Sequence, residues 1–446
     1  MWQIHHSITT IALLNEKPLL RWLTSIVILL PKDAGQPKIH RLRIINTYES
    51  EYNLILKYFW ANKGMRIAEK KEWLGDNQTG GRKGMSASET AVINEIILDI
   101  HRITREPICS HQDDAMGCYD RIIRNHAMLN SRKHGIPENV CKMHCNAHDN
   151  MIYKNQIKNK ISELTYTSTK ELRLHGIGQG TGNGGAHWTL ISVPMMQIVD
   201  KEAPGCTIQM PNNEKKWEIK IVGFVDDKKH YVNNVSRKTK DTLEQAMQKS
   251  IRIWEELLNF TGGKLELSKC EYFLIKWGFD NKDKPFIEKN KYSISFFNPG
   301  GSPIESKQLR LEEQMTYLGV TSQVNGKQDA ITTKLCKIAD QITRTMASSH
   351  LPHYYSHIYF KCKINPKLTY PLAATSMTEQ QTDKLHRKLY PEVIASKGFN
   401  RKWPTRLRYG SHKYSGLGLI NYKVEQSVKK LEMIHKLLNH PKHTLL

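Results

Sequence analysis

Two pairs of adjacent carboxylates, Asp113-Asp114 and Asp226-Asp227, stand far apart in this 446-residue chain. The second pair sits in IKIVGFVDDKKHY, where Ile219, Ile221 and Gly223 fall on one side of a period-2 pattern, as in a half-buried strand. Burying an Asp at the end of an apolar run costs several kcal/mol unless a cation compensates it, and a divalent metal does so for two at once. A tight turn, where Asp is common, is the bland alternative for the dipeptide alone. Asp113-Asp114 follows the short strand ICSHQ and precedes a helix, so both clusters stand at strand ends. Carboxylates brought together from two strand ends suit two-metal phosphoryl transfer, with ions about 3.5–4 Å apart stabilising the attacking and the leaving oxygen.

The composition agrees with a nucleic-acid substrate. Lys and Arg number 66 against 43 Asp and Glu, a net charge of +23 spread along the chain, which suits a polyanion. The apolar stretches are all too short to span a bilayer, and the N-terminus lacks a secretory signal pattern. The eight irregularly spaced cysteines read as reduced thiols rather than a disulfide framework. The expectation is an intracellular protein, nuclear or cytoplasmic, not secreted and not membrane-bound.

Several elements must position the carboxylates. SIVILLPK and HRLRIINT read as a basic hairpin, with Ile39, Leu42, Ile44 and Ile45 inside and Lys38, Arg41 and Arg43 outside, around a loop at 33–37. Ser86 and Glu89 form a capping box ahead of the helical stripe Ile93, Ile96, Ile97, Ile100 and Ile103, whose N-terminus beside Arg82 is a candidate phosphate site. Cys141, His144, Cys145 and His148 share a helical face, readable either as a zinc site or as packing. Gly176–Gly185, GIGQGTGNGG, is neither a P-loop nor a clean dinucleotide fingerprint; it offers closely approachable backbone before an apolar helix interrupted at Pro194. A further amphipathic helix at 241–260 stops at Gly262-Gly263, and TYLGVTSQVNGK reads as a strand pair turning at Asn325-Gly326. Beyond residue 327 two helical stripes follow, Ile331, Leu335, Ile338, Ile342, Met346 and then Val424, Val428, Leu431, Ile434, Leu438.

In order and spacing these segments resemble reverse transcriptases, particularly those of retrotransposons, from about Leu30 to Lys327. PK followed by HRLRII is similar to the first fingers motif, with Arg43 at the triphosphate position, and NQTGGRKGMS to the second, with Arg82 in its arginine slot. DAMGCYD resembles motif A, with catalytic Asp114 and, five residues on, the aromatic Tyr119; that spacing makes Asp113 the neighbour. GIGQG resembles motif B and sets Gln179 against the nucleotide. FVDD resembles motif C, with Asp226 and Asp227; LELSK resembles motif D, with Lys269; YLGV resembles motif E, the primer grip.

The resemblance implies an α+β right-hand polymerase with fingers, an antiparallel-sheet palm and a mainly helical thumb. Its division is 1–105 fingers, 106–134 palm, 135–175 fingers insertion, 176–326 palm, and 327–446 thumb with a C-terminal helical extension. It implies catalytic Asp114, Asp226, Asp227 and Lys269; Mg²⁺ ligands Asp114, Asp226 and Asp227, holding two ions, with Mn²⁺ as the other candidate; and substrate contacts from Arg43, Arg82, Tyr119 and Gln179. RNA template, DNA primer and dNTPs are the implied partners, with any endonuclease or ribonuclease H domain outside this chain. The sequence departs from the pattern at Gly184-Gly185, where Ser-Pro is usual, at His187, where an apolar residue is usual, and at Lys228 and Lys229, whose ammonium groups compete with metal for the aspartates. Two alternatives stay open: a catalytically decayed, nucleic-acid-binding copy, and an RNA-dependent RNA polymerase, whose motif C is usually Gly-Asp-Asp and whose motif A lacks the aromatic.

Overall fold

Helices and short, mostly antiparallel strands alternate along the chain, as the α+β reading expects. The structure, a computed structural model, describes residues 2–32, 38, 42–171, 173–209, 216–233, 241–289, 291–297, 301–349 and 351–439. The 33–37 loop, Ile39 and Arg41 therefore lie outside the described residues. The helices used below are α1 (Trp2–Leu14), α2 (Ser50–Leu56), α3 (Ala87–Thr104), α4 (Arg124–Lys133), α5 (Glu138–Asp149), α6 (Gly184–Glu202), α7 (Leu243–Phe260), α8 (Asp329–Ser348), α9 (Glu379–Ser396) and α10 (Tyr422–Leu438). The strands are β1 (Thr24–Pro31), β2 (Leu42–Thr47), β3 (Ile108–Asp113), β4 (Ile152–Ile157), β5 (Lys160–Thr167), β6 (Ile221–Phe224), β7 (Asp227–Val232), β8 (Gln314–Tyr317) and β9 (Val320–Gln323). Among the described residues no helix is long and apolar enough to cross a membrane.

The chain forms two units, one of Met1–Met85, Cys109–Glu271 and Tyr292–Ser306, the other of Ser86–Ile108, Tyr272–Lys291 and Lys307–Leu446. In the first, β2, β1, β4 and β5 lie in that order; β1 runs antiparallel to β2, with Leu30 opposite Arg43, and parallel to β4. A separate ladder pairs β3 with β7 and β7 with β6, all antiparallel. His111 faces His230 across it, and Asp113 faces Lys228. Helix α7 covers β7 with Met247, Ile251 and Trp254, all buried, and a Thr242–Gln245 capping box starts it. Helix α6 runs unbroken through Pro194, correcting the expected interruption. Proline leaves the carbonyl four residues back without its helical donor. Here that carbonyl, on Leu190, accepts instead from Asn130 Nδ2 of α4 at 2.6 Å.

In the second unit the Ser86–Glu89 capping box starts α3 as expected. Lys436 Nζ bonds Glu89 there, so the candidate phosphate position at this helix end already carries an internal ion pair. The stripe of α8 is buried with Leu385, Leu389 and Val393 of α9. Two expectations are corrected. The hairpin β8–β9 turns at Leu318-Gly319, both at positive φ (48° and 82°), not at Asn325-Gly326. Both central residues of such a turn must be left-handed, and Tyr370 Oη and Lys334 Nζ hold it by donating to the carbonyls of Leu318 and Gly319. In α10 the stripe Val424, Val428, Leu431, Ile434 and Leu438 is exposed. The buried side chains are Tyr422, Gln426 and Leu437, with the Gln426 amide bonded to Met377 backbone and Thr375.

Candidate active site

Phe224 pairs with Asp227 at the end of the β6–β7 ladder, so Val225-Asp226 is a two-residue hairpin turn. Val225 takes φ +56°. A β-branched residue is a marked outlier there, and the left-handed region costs an L-residue roughly 1–2 kcal/mol. The surroundings hold it in place. Gln78 Oε1 accepts from the Val225 N–H at 3.1 Å and Gln78 Nε2 donates to the Val225 carbonyl at 3.2 Å. Trp188 Nε1 donates to the same carbonyl at 2.7 Å, and so does Lys228 Nζ. Gly80 lies so close that a Cβ on it would fall 2.1 Å from the Val225 nitrogen. Thr79 N–H donates to Gly223 O at 2.9 Å and Gly223 N–H to Asn77 O at 2.7 Å. The NQTGG segment is thus zipped along the hairpin.

Asp114 follows the end of β3, and a short antiparallel pairing brings 264–266 against it. Met116 N–H donates to Lys264 O at 2.7 Å and Glu266 N–H to Asp114 O at 2.8 Å. That pairing delivers Lys269, whose Nζ forms an ion pair with Asp114 Oδ2. The aspartates feel one another: burial, then the charges of Asp226 and Asp114, push the Asp227 carboxyl up to about 6. Cys118 Sγ lies 3.7 Å from Asp226 Oδ2, and burial followed by that carboxylate drives the thiol far above its usual range. Burial, then Cys118 and Asp226, likewise raises the Tyr119 phenol; its ring stands 6.4 Å from that of Trp188.

Asp113 belongs to a different network. It is buried between His111 Nδ1 (2.5 Å) and His230 Nε2 (2.9 Å), the pair facing each other across β3 and β7. Burial alone raises its carboxyl, but the two imidazoles outweigh this and hold it well below the usual carboxylate range. The neighbouring carboxylates therefore differ in setting: Asp113 is locked beneath the sheet, Asp114 is 21% exposed.

The glycine loop reaches the site from the other side. Gly176 and Gly178 have φ +98° and +79°, and Cβ atoms on them would meet the Tyr119–Asp120 backbone at 2.7 Å and Tyr48 Oη at 2.8 Å. Ile177 N–H donates to Tyr119 O (2.7 Å), Asn46 N–H to Gln179 O (2.7 Å), and Gly182 N–H to Asn53 Oδ1 (2.6 Å). The loop carrying Gln179 is thereby tied to motif A, to β2 and to α2. Departure from the motif at His187 has a structural account. Its Nε2 bonds Ser131 Oγ at 3.0 Å, Asn183 Nδ2 bonds His144 Nε2 at 3.1 Å, and Tyr52 Oη bonds His144 Nδ1 at 2.5 Å. Tyr48 Oη bonds His148 Nε2 at 3.3 Å. The Cys141–His148 face thus uses its imidazoles in a buried hydrogen-bonded network, and burial holds His144, His148 and His187 neutral, far below their ordinary value. All eight cysteines are free thiols.

Of the sequence-derived residues, Asp114, Tyr119, Asp226, Asp227 and Lys269 come together. Gln179 stands on the adjoining loop. Arg43 is exposed on β2, and no contact places it among the aspartates. Arg82, expected against a triphosphate, is a buried clamp. Its guanidinium pairs with Glu69 at 2.6 and 2.9 Å and donates to the carbonyls of Gly75 and Gln78 at 2.6 and 3.0 Å. Sequence reasoning missed Gln78 and Trp188; no local pattern marks side chains whose role is to hold a turn 147 and 37 residues away. Among the described residues no group of three or more His, Cys, Asp or Glu side chains is set to hold a metal ion. The donor chemistry nonetheless fits a divalent cation: three carboxylates from two strand ends come together, burial and then the charges of the other two raise Asp227, and Asp114 is engaged by a lysine.

No family model matches the chain, and no curated protein matches its sequence. Among solved structures it is similar to apo telomerase from Candida tropicalis at 11% identity and TM-score 0.43, over 97% of this chain and 68% of that one. It is also similar to telomerase from Candida albicans in complex with a TWJ fragment of telomeric RNA, at 10% identity and TM-score 0.41, over 95% and 64%. A C-terminally truncated apo telomerase from Candida tropicalis matches at 15% identity and TM-score 0.39, over 68% and 54%. The chain spans between about half and two thirds of the length of these proteins.

Proposed function

We propose that this chain is a reverse-transcriptase-type nucleotidyltransferase, making DNA on an RNA or DNA template, with the retrotransposon enzymes as its nearest type and the fingers, palm and thumb division given above. The observation that carries the reading is the meeting of Asp114 with Asp226 and Asp227, from two strand ends, beside Tyr119 and Lys269. Asp114 and Asp226 are the residues to hold two Mg²⁺ ions (or Mn²⁺), with Asp227 in support. The ions supply charge stabilisation at the attacking primer hydroxyl and the leaving pyrophosphate oxygen. The hydrogen-bonded turn fixes where Asp226 points. Tyr119, packed toward Trp188, is assigned by motif to the sugar of the incoming nucleotide. Lys269 is half-exposed and protonated; burial lowers its pKa but Asp114 more than offsets this, so it holds a proton for the departing pyrophosphate. Gln179 and Arg43 are assigned to the nucleotide by motif, Arg82 to supporting the hairpin.

Extension of a primed RNA template with dNTPs or NTPs, in Mg²⁺ or Mn²⁺, tests this. DNA synthesis abolished by Asp226→Asn, with template binding intact, is expected. Ribonucleotide extension points to an RNA polymerase. The Lys269–Asp114 pair favours one second reading, a copy that binds nucleic acid without turnover, and extension absent under every condition supports that one.

A further inference from the structure

A cavity of about 330 Å³ opens in the first unit between the start of α4, the end of α5 and residues 168–170 and 173–175. Arg124, Lys170, Arg173 and His175 line it, against a single carboxylate, Asp149. Arg124 stands at the first position of α4, whose N-cap, Ile123, supplies no side-chain cap. The dipole there adds partial positive charge to the fixed cations. Arg124 Nη1 donates to Asp149 Oδ1 at 3.0 Å and Nε to Gly176 O at 3.4 Å, but Nη2 is buried without a hydrogen-bond partner. Buried donors are nearly always paired, and a guanidinium prefers an oxyanion presenting several acceptors. Lys170 and Arg173, both exposed, flank the opening. Three fixed cations facing one carboxylate leave the cavity with an excess that a phosphate would neutralise.

We propose that this cavity seats a phosphate of a bound RNA strand, and that doing so steadies the nucleotide loop. The wall residues 173–175 run directly into Gly176, whose carbonyl accepts from Arg124 and whose N–H donates to Ile122 O at 3.0 Å. The next residues lead to Gln179. A phosphodiester gripped by Arg124 and Arg173 therefore fixes the segment on which Gln179 is carried. The source of the phosphate rests on the nucleic-acid reading above, not on turnover. A free polyphosphate has the same chemistry, and the experiment separates the two.

Binding of a labelled single-stranded RNA to the full chain is followed by anisotropy without metal or nucleotide, so a catalytically dead chain still answers. For parent, Lys170→Glu/Arg173→Glu, and a control reversal at two exposed lysines elsewhere on this unit, Lys201→Glu/Lys216→Glu, log K is measured against log[salt]. Each phosphate neutralised on a single strand contributes about 0.7 to the slope, so the cavity variant, losing its one phosphate, is expected to lose about 0.7 and bind several-fold more weakly at about 200 mM salt. A control variant that loses as much, or a cavity variant with an unchanged slope, overturns the proposal. Lys170→Gln/Arg173→Gln, checked for an unaltered melting curve, must show the same direction. Inorganic pyrophosphate is the second arm: if it protects Arg173 from arginine-selective labelling while RNA does not, the site is one for free polyphosphate and the strand proposal fails.

Discussion

Gln78→Met removes a single amide, yet the geometry assigns it a large effect. Gln78 is almost wholly buried, and its Oε1 accepts from both the Val225 and Gly80 N–H groups at 3.1 Å. Methionine fills a similar volume but offers neither function. The Val225 carbonyl keeps Trp188 and Lys228, whereas the two N–H groups lose their acceptor. Each buried donor left unpaired costs about 1–3 kcal/mol, so the variant should lose about 2–6 kcal/mol of local stability. Val225→Gly acts oppositely. It relieves a left-handed penalty of roughly 1–2 kcal/mol, less whatever packing the half-buried valine provides. Combined, the two should be non-additive, because a turn that no longer resists its conformation needs the clamp less. Hydrogen exchange at 223–228, read by mass spectrometry, measures the local opening and so does not depend on two-state unfolding of the whole chain. Gln78→Met within about 0.5 kcal/mol of the parent, or strict additivity in the double variant, would refute the clamp.

The remaining expectations concern the carboxylates and their neighbours. Asp227 is raised to about 6, so its proton favours the fold. Without metal, stability should fall as pH climbs from the unfolded value of about 3.9 through that point, and Asp227→Asn should exceed the parent by about 1–2 kcal/mol near neutral pH once solvent screening is allowed for. Metal binding should weaken as pH drops below about 6, read by Mg²⁺ titration of incorporation; a flat profile counts against a ligand role for Asp227. Lys269→Leu should slow single-turnover incorporation by ~10²–10⁴-fold if the lysine delivers the proton, yet lower the Mg²⁺ needed for half-saturation by freeing Asp114. An unchanged rate removes the role. Tyr119→Ala should raise ribonucleotide incorporation by ~10-fold or more, the ring's overlap with a 2′-hydroxyl being worth ~1–3 kcal/mol. Undiminished discrimination in that variant makes Tyr119 a packing residue.

What could be read from sequence was local in its physics. The Ser86–Glu89 box and the α8 stripe each depend on residues a few positions apart, and each stands where expected. Other side chains depend on partners that no local motif displays. Arg82 looks like a phosphate ligand until Glu69 and two carbonyls claim its donors. At Cys141, His144, Cys145 and His148 the spacing leaves a zinc site and packing both readable, and the side chains that meet the two imidazoles, Tyr48 and Tyr52, come from far upstream. Pro194 reads as an interruption because nothing local shows that Asn130 will take over the Leu190 carbonyl. Asn325-Gly326 and Leu318-Gly319 are both turn dipeptides by their glycine; the pairing of Tyr317 with Val320 decides between them.

The two lysines after the FVDD pair raised the sharpest question in the sequence, since an ammonium beside the aspartates competes with metal. Lys228 and Lys229 are fully buried, on opposite faces of β7 by strand alternation. Lys228 lies against Gly223, where a Cβ would fall 2.7 Å from Nζ, and 5.8 Å from the Trp254 ring centroid. Burial pulls it down to about 8 against the opposing charge of Asp226. Its hydrogen bond goes to the Val225 carbonyl, so it acts as a strut of the turn and has no free path into the carboxylate cluster. Lys269 differs: it is 56% exposed, on a flexible stem, and paired with the aspartate at the mouth of the site. One cation is fixed behind the aspartates and one is free to leave them. In the resting chain the site's negative charge is thus already partly balanced. Under the proposed function, a divalent ion held at Asp114 would displace the Lys269 ammonium from that carboxylate. On that proposal, holding the ion and freeing Lys269 as the general acid would be one side-chain movement, and a chain unable to make it would bind nucleic acid without extending it.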